Sequence, residues 1–388
     1  MTKKCFGHDV LRGGNILLEF RSLIQLADDL VEPAAGLPHL AAGFIDLQVN
    51  GFAGVDYNSP DTPHAEIGRS LRAQFATGTT RLLPTVITGS VPGMLGSLRN
   101  LYAAKRALAE GVAIEGFHVE GPHISPEEGP RGAHPRQHVR PPDVDEYRRW
   151  QEATDGLVKL VTIAPEWPGA PAYIEALARD GVTVAIGHTA AQGSDIQAAV
   201  SAGATLSTHL GNGAHGVMPR HPNYLWEQLA EDRLNADFIV DGIHIGAAFL
   251  KVALRAKGIE RSILVTDASS PAGATPGRYM LGDQAVDLTE DDRVVLAGQT
   301  RLAGSALKMH RGVENLMRIA GLTLAEALTM ATRNPARVGR IAGRQRGLAA
   351  GDRADFVVFD FDAPAKSVTI RETWIGGECF FQAPAAHA

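Results

Sequence analysis

The seven residues Val182-Thr183-Val184-Ala185-Ile186-Gly187-His188 decide the fold. The run is apolar and β-branched without a charge, as in a strand covered on both faces. It then stops abruptly at a glycine and a histidine. The same grammar recurs at 43–50, 80–85, 113–120, 158–163, 205–209, 236–241 and 263–267. Helical patterns separate most of these runs, at about 65–77, 93–110, 170–179, 193–201 and 246–256. About eight strands alternating with helices over about 230 residues is the size of a (β/α)8 TIM barrel. An open doubly wound sheet is the rival, and it would carry a glycine-rich nucleotide turn after its first strand. Here that strand ends in Gln48-Val49-Asn50-Gly51-Phe52, which is not such a turn. A nucleotide-dependent oxidoreductase is disfavoured for the same reason.

Outside the barrel the patterning changes. Residues 1–42 are short, irregular and β-leaning, as in Asn15-Ile16-Leu17-Leu18-Glu19-Phe20. Helical patterns near 313–319 and 324–332 precede Phe356-Val357-Val358-Phe359-Asp360 and Ser367-Val368-Thr369-Ile370, which read as strands. The expected organisation is an α/β barrel over 43–339, with 1–42 and 340–388 pairing into a small β domain beside it.

Composition narrows the function. The 388 residues are 45% hydrophobic and 21% charged, the balance of a soluble globular enzyme. With 37 Lys and Arg against 43 Asp and Glu, the net charge of −6 argues against a nucleic-acid partner. No run approaches the ~20 apolar residues of a membrane helix, so no membrane partner is expected. His8, Asp9, Arg12 and Asn15 interrupt the start, and no signal peptide is expected. Two cysteines, Cys5 and Cys379, exclude a disulfide framework and favour a cytoplasmic location.

The chemistry lies in what terminates the strands. Barrel enzymes carry their catalytic groups at the carboxyl ends of their strands. Those ends here are Gln48 and Asn50, Glu120, His188, His209, Asp241 with His244, and Asp267. Any one polar residue could cap a segment or sit satisfied in the core. Glu120, His188 and His209 together form an N2O set of the kind that holds a catalytic Zn2+ or similar ion. They come from separate strands and converge only if the barrel closes. Asp267, at the end of the eighth strand, can take a proton from water and return it to a leaving nitrogen. His118 lies two residues before Glu120, as a second layer behind a metal or as barrel packing.

These stretches resemble the N-acetylglucosamine-6-phosphate deacetylase family, within the amidohydrolase superfamily. The resemblance rests on 43–51, Gly116-Phe117-His118-Val119-Glu120-Gly121-Pro122, Gly187-His188-Thr189, Thr208-His209-Leu210, Asp241-Gly242-Ile243-His244, Val265-Thr266-Asp267-Ala268 and Leu302-Ala303-Gly304-Ser305. It implies a barrel flanked by a β-sandwich of both termini, and metal-dependent removal of the acetyl group of N-acetylglucosamine-6-phosphate. It implies one divalent ion, Zn2+ first, on Glu120, His188 and His209, with Asp267 as general base and then acid. His134 would polarise the acetyl carbonyl, with Ala133 beside it. Asn212, Gly213, Leu302, Ala303 and Gly304 would contact the sugar, and His244 and Arg220 the phosphate. Arg220 would reach across from a neighbouring subunit, making a homodimer part of the site.

Two features set this chain apart. Gln48-Val49-Asn50 replaces the His-x-His pair that gives many amidohydrolases a second metal, so a single ion is expected. The family's Thr-His-Leu-Tyr-Asn-Ala is Thr208-His209-Leu210-Gly211-Asn212-Gly213 here, and the Arg220 loop reads Pro219-Arg220-His221-Pro222-Asn223. The two glycines are expected to loosen the pocket wall. These changes fall on substrate recognition, keeping open a deacetylase or deaminase acting on another N-acetylhexosamine or N-acyl compound. A non-catalytic binding member is disfavoured, because no ligand or base is missing.

Overall fold

The computed structural model describes residues 1–30, 36–343 and 347–384. The expected terminal segments include 31–35, 344–346 and 385–388, which lie outside the described residues. Strands β1 (Lys3–Asp9), β2 (Gly14–Phe20) and β3 (Ile24–Asp29) form an antiparallel meander. Strand β4 (His39–Ala42) returns beside β1 in parallel. The barrel begins at once with β5 (Phe44–Val49), followed by a small hairpin of β6 (Gly51–Phe52) and β7 (Val55–Asp56). Then come β8 (Thr79–Ile87), β9 (Phe117–Glu120), β10 (Val158–Ile163), β11 (Thr183–Ile186), β12 (Ala204–Ser207), β13 (Asn235–Ile239) and β14 (Ser262–Val265).

β5 and β8–β14 pair in parallel, in chain order. The ring closes through a Val49–Ala268 bridge rather than a regular ladder. Asp267 N donates to Gln48 O at 3.0 Å, and Asn50 N to Ala268 O at 2.7 Å. Every residue of β5, β8, β9, β11, β13 and β14 is buried, as expected for parallel strands with side chains inside and helices outside. The outer helices are α1 (His64–Phe75), α2 (Val91–Ala107), α3 (Val144–Ala153), α4 (Ala170–Arg179), α5 (Gly193–Ala202), α6 (Tyr224–Ala230) and α7 (Ala247–Lys257). After β14, an antiparallel insert of β15 (Gly277–Leu281), β16 (Gln284–Leu288) and β17 (Val294–Leu296) precedes α8 (Met309–Asn315), α9 (Leu324–Ala331) and α10 (Arg333–Val338). Helix α9 starts at a capping box in which Thr323 and Glu326 bond each other's backbone N–H.

The remaining strands, β18 (Phe356–Asp362), β19 (Ser367–Ile375) and β20 (Glu378–Gln382), join β1–β4 in one seven-stranded sheet, ordered β20-β19-β18-β4-β1-β2-β3. The sheet folds over itself, so that Phe20 of β2 meets Phe356 of β18 and Trp374 of β19 at 5.0 and 5.2 Å. A buried ion cluster ties this domain to the barrel. Arg81 of β8 donates to Asp355 at 2.5 Å, and Arg353 bridges Asp355 and Glu115 at 2.8 and 3.2 Å.

The structure departs from the sequence expectation in several places, among them helices α6 and α10 and the β6–β7 hairpin, which the sequence reading did not include. Ala109–Ala113 winds as a 3-10 turn, so β9 starts at Phe117 rather than near 113. Helix α3 and the β15–β17 insert were not anticipated. Helix α3 buries only Glu146, Tyr147 and Trp150, too few apolar side chains to make a periodic signal.

Candidate active site

The strand ends use one device three times. His188, His209 and Asp267 each stand two residues beyond the last residue of β11, β12 and β14. Each has a left-handed backbone, with φ of 51°, 29° and 48°. Such angles are costly for residues with a Cβ and persist where surrounding structure enforces them, typically at functional sites. Here they accompany three side chains that converge on Glu120, the last residue of β9.

The convergence is tight. His209 Nε2 lies 2.9 Å from Glu120 Oε1, and His188 Nε2 lies 3.3 Å from the same oxygen. The two imidazole Nε2 atoms are 3.1 Å apart. Ligands about 2.0–2.2 Å from one tetrahedral ion would stand roughly 3.3–3.5 Å from each other. His188 Nδ1 lies 2.8 Å from Pro130 O. That contact fixes the ring with Nε2 toward Glu120 and His209, the nitrogen that would face an ion. His209 is aimed through its backbone, whose N–H donates to Asp237 Oδ1 at 2.5 Å. Glu120, His134 and His188 also lie close enough to share an ion. His134, however, is 4.0 Å from Glu120 and is held by Thr88, with Nδ1 at 2.8 Å from Oγ1. The buried Glu–His–His group can therefore hold a metal.

Asp267 stands across the cluster. Asn50 Nδ2 donates to its Oδ1 at 2.7 Å, and Gln48 Nε2 at 3.3 Å. Gln48 Nε2 also donates to Glu120 Oε1 at 2.8 Å. The Gln-x-Asn pair of the first strand thus orients the two carboxylates. Burial and the Glu120 charge push the Asp267 carboxyl up to about 6. Burial would raise Glu120 too, but the hydrogen bonds from His188 and His209 hold it well below the usual carboxylate range. Burial works against a charged His209, yet the Glu120 hydrogen bond lifts it to about 9. Burial, with the His188 ring beside it, pushes His134 down to about 3, so its ring is neutral at pH 7.

Around this cluster lies a cavity of about 130 Å³. Ala133, His134, Asn212, Gly213, His244, Leu302, Ala303 and Gly304 all line it with Glu120, His188, His209 and Asp267. His244 is fixed by Asp241, with Nδ1 to Oδ2 at 2.6 Å. Arg220 is not among the lining residues; it is exposed on the loop before α6. His118 packs in the barrel layer below, 2.8 Å from Thr162 Oγ1, and does not join the metal group.

The glycines of the 208–213 segment act contrary to expectation. Gly211 and Gly213 have φ of 106° and 55°, and a Cβ on Gly213 would sit 2.6 Å from His188 Nδ1. Gly213 lets the loop lie directly on His188, and Gly211 lets it lie against Phe249, instead of loosening the wall. Sequence reasoning missed Asp46, Asp237, Thr88, Ile87, Leu281 and Gln284. A carboxylate inside an apolar run was the available signal for Asp46 and Asp237. Burial pushes each of those two carboxyls up to about 7.

Fold and site together define a class: a parallel barrel with a metal-capable Glu–His–His group and a buried carboxylate at its mouth. The sequence pattern described as the amidohydrolase family matches residues 40–379. An N-acetylgalactosamine-6-phosphate deacetylase from Shewanella sp. is 35% identical, over 98% of this chain and 96% of its own. An N-acetylglucosamine-6-phosphate deacetylase from Homo sapiens is 35% identical over 97% and 92%. Among solved structures, a mutant N-acetyl-D-glucosamine-6-phosphate deacetylase from Mycobacterium smegmatis, in complex with N-acetyl-D-glucosamine-6-phosphate, superposes with a TM-score of 0.88. It is 30% identical, and the match covers 98% of this chain and 100% of that one. The chain belongs to the amidohydrolase family, in the branch of these hexosamine-phosphate deacetylases.

Proposed function

We propose that the protein hydrolyses the N-acetyl group of N-acetylglucosamine-6-phosphate, giving glucosamine-6-phosphate and acetate. The observation that carries this reading is the meeting of Glu120, His188 and His209 within 2.9–3.3 Å, opposite Asp267. These three residues would hold one divalent ion, Zn2+ by the chemistry of the donor set. When bound, it supplies Lewis acidity that polarises a carbonyl and brings the pKa of water toward ~7.

The chain's own residues do the rest. Asp267 receives the proton of the attacking water as the water oxygen bonds to the acetyl carbon. Asn50 and Gln48 both bond Oδ1, so Oδ2 remains for that proton. With Thr88 donating to Nδ1, neutral His134 presents Nε2–H to the carbonyl oxygen as negative charge develops there. Asp267 then delivers its proton to the nitrogen as the C–N bond breaks, releasing acetate and a free amine. His244, held by Asp241, faces the phosphate, and Asn212, Gly213 and Leu302–Gly304 border the sugar. Arg220 completes the phosphate site from the partner subunit of a homodimer, consistent with its exposure outside the pocket of its own chain. A phosphorylated substrate and two free thiols support a cytoplasmic location for the reaction.

The Shewanella relative supports a second reading, N-acetylgalactosamine-6-phosphate. Acetate release by metal-loaded protein from both phosphates, beside unphosphorylated N-acetylglucosamine, tests the reading. Preference for the gluco phosphate is expected. Preference for the galacto epimer selects the second reading, and activity on none of them overturns both.

A further inference from the structure

A second cavity of about 310 Å³ lies against the catalytic one. The two share Ile87, Leu281 and Gln284 as a common wall. Thr88 and Pro135 line the second cavity, while His134, bonded to Thr88 and preceding Pro135, lines the first. The second cavity continues over Asn58, Ser90 and Ser97. Ser97 is 1% exposed, and its Oγ has no hydrogen-bond partner among the described residues.

The wall sits where an acyl group must go. Ile87 pairs in register with Glu120, on the neighbouring strand. Paired residues of adjacent parallel strands point to the same side, so Ile87 stands beside the metal group at the barrel mouth. His244, Asn212 and Gly213 follow β12 and β13, away from β8 in the ring. With the carbonyl between Glu120 and His134 and the sugar toward His244, the acyl methyl points at Ile87. An apolar cluster of Ile87, Leu281, Val286 and Ala303, with Ala133 packed on it, backs this corner. The wall is also pinned. Asn58 Oδ1 accepts from Ile87 N at 2.7 Å, Asp56 Oδ2 accepts from Gly282 N at 2.7 Å, and Gln284 Nε2 donates to Ala133 O at 2.8 Å.

We propose that Ile87 and Leu281 form a partition that sets acyl length, closing the active site to acyl groups longer than acetyl and separating it from a polar cavity able to take their tails. The inference rests on the deacetylase reading above. In a hydrophobic pocket one methylene is worth roughly 10–200-fold in discrimination. The test uses N-acetyl, N-propionyl and N-butyryl hexosamine-6-phosphates, in whichever epimer the wild type prefers. The wild type is expected to lose at least about tenfold in kcat/KM from acetyl to propionyl. Ile87→Ala is expected to raise the propionyl-to-acetyl ratio at least about tenfold, and Leu281→Ala to raise it less. Ile87→Val, with its smaller change in volume, gives an intermediate ratio and guards against misfolding. Unchanged ratios in all three variants, with acetyl turnover retained in at least one, overturn the partition alone. A wild type that cleaves none of the series overturns the deacetylase reading with it.

Discussion

Two of the places where the barrel buries charge are built on opposite plans. Where β8 meets the terminal sheet, Arg81, Arg353, Asp355 and Glu115 pair cations with anions from the same chain. At the mouth, Glu120, Asp267, Asp237 and Asp46 crowd together with no Arg or Lys among the residues lining the pocket. Burial and mutual repulsion push three of those carboxyls upward. A buried charge is stable only when paired. The first cluster faces each carboxylate with cations of the same chain and serves stability. The second, on the function proposed above, would be completed by a metal ion and a substrate, and would serve chemistry.

The contrast can be broken from either side. Asp267→Asn is expected to cut turnover by about 10²–10⁴-fold, the usual worth of a positioned acid–base group, with metal content unchanged. Near-wild-type turnover would remove Asp267 from the mechanism. Removing the other plan's centre, Arg81→Leu, takes away one of the two cations that face Asp355 and should cost up to about 3–5 kcal/mol in chemical denaturation. Its kcat/KM below the melting transition is expected to stay within about twofold of wild type.

Smaller effects sharpen the same comparison. Chelation should lower the melting temperature, and Zn2+ at about 100 times its Kd should restore roughly 2.7 kcal/mol. His209→Ala should show no such response. Proton linkage gives the sign of the pH effect. In the metal-free protein His209 is raised to about 9, so at pH 7 an ion must displace its proton. Metal affinity should therefore rise with pH up to about 9, by about tenfold per unit where one proton is displaced. Titration calorimetry in buffers of different ionisation enthalpy counts that proton. A pH-independent affinity would mean the ring is already neutral.

Much of this was legible in the sequence because the barrel writes its function at its strand ends. Glu120, His188 and Asp267 each follow an apolar run and His209 a short β-leaning one, and no helix or loop explains a polar residue there as economically. The conformations of those ends were not legible, since a positive φ at a histidine follows from three-dimensional packing. The role of Gly213 reversed for the same reason: only the folded loop shows how near His188 it lies. The wall shared by the two cavities was hidden further. Leu281 and Gln284 come from an insert whose short strands carry no catalytic signature, and Ile87 looks like any other core residue.

The terminal sheet has a consequence for synthesis. Phe356 pairs with Ala42 and Phe359 with His39, partners more than three hundred residues apart. At translation rates of about 5–20 residues per second, the free edge of β4 waits on the order of 15–60 s for its neighbour to leave the ribosome. All eight barrel strands are synthesised before that sheet can be completed, and the first of them directly follows β4. An exposed strand edge in that interval is open to pairing with other chains. The yield of folded protein should thus depend on elongation speed and chaperone supply more than the finished molecule's stability would suggest.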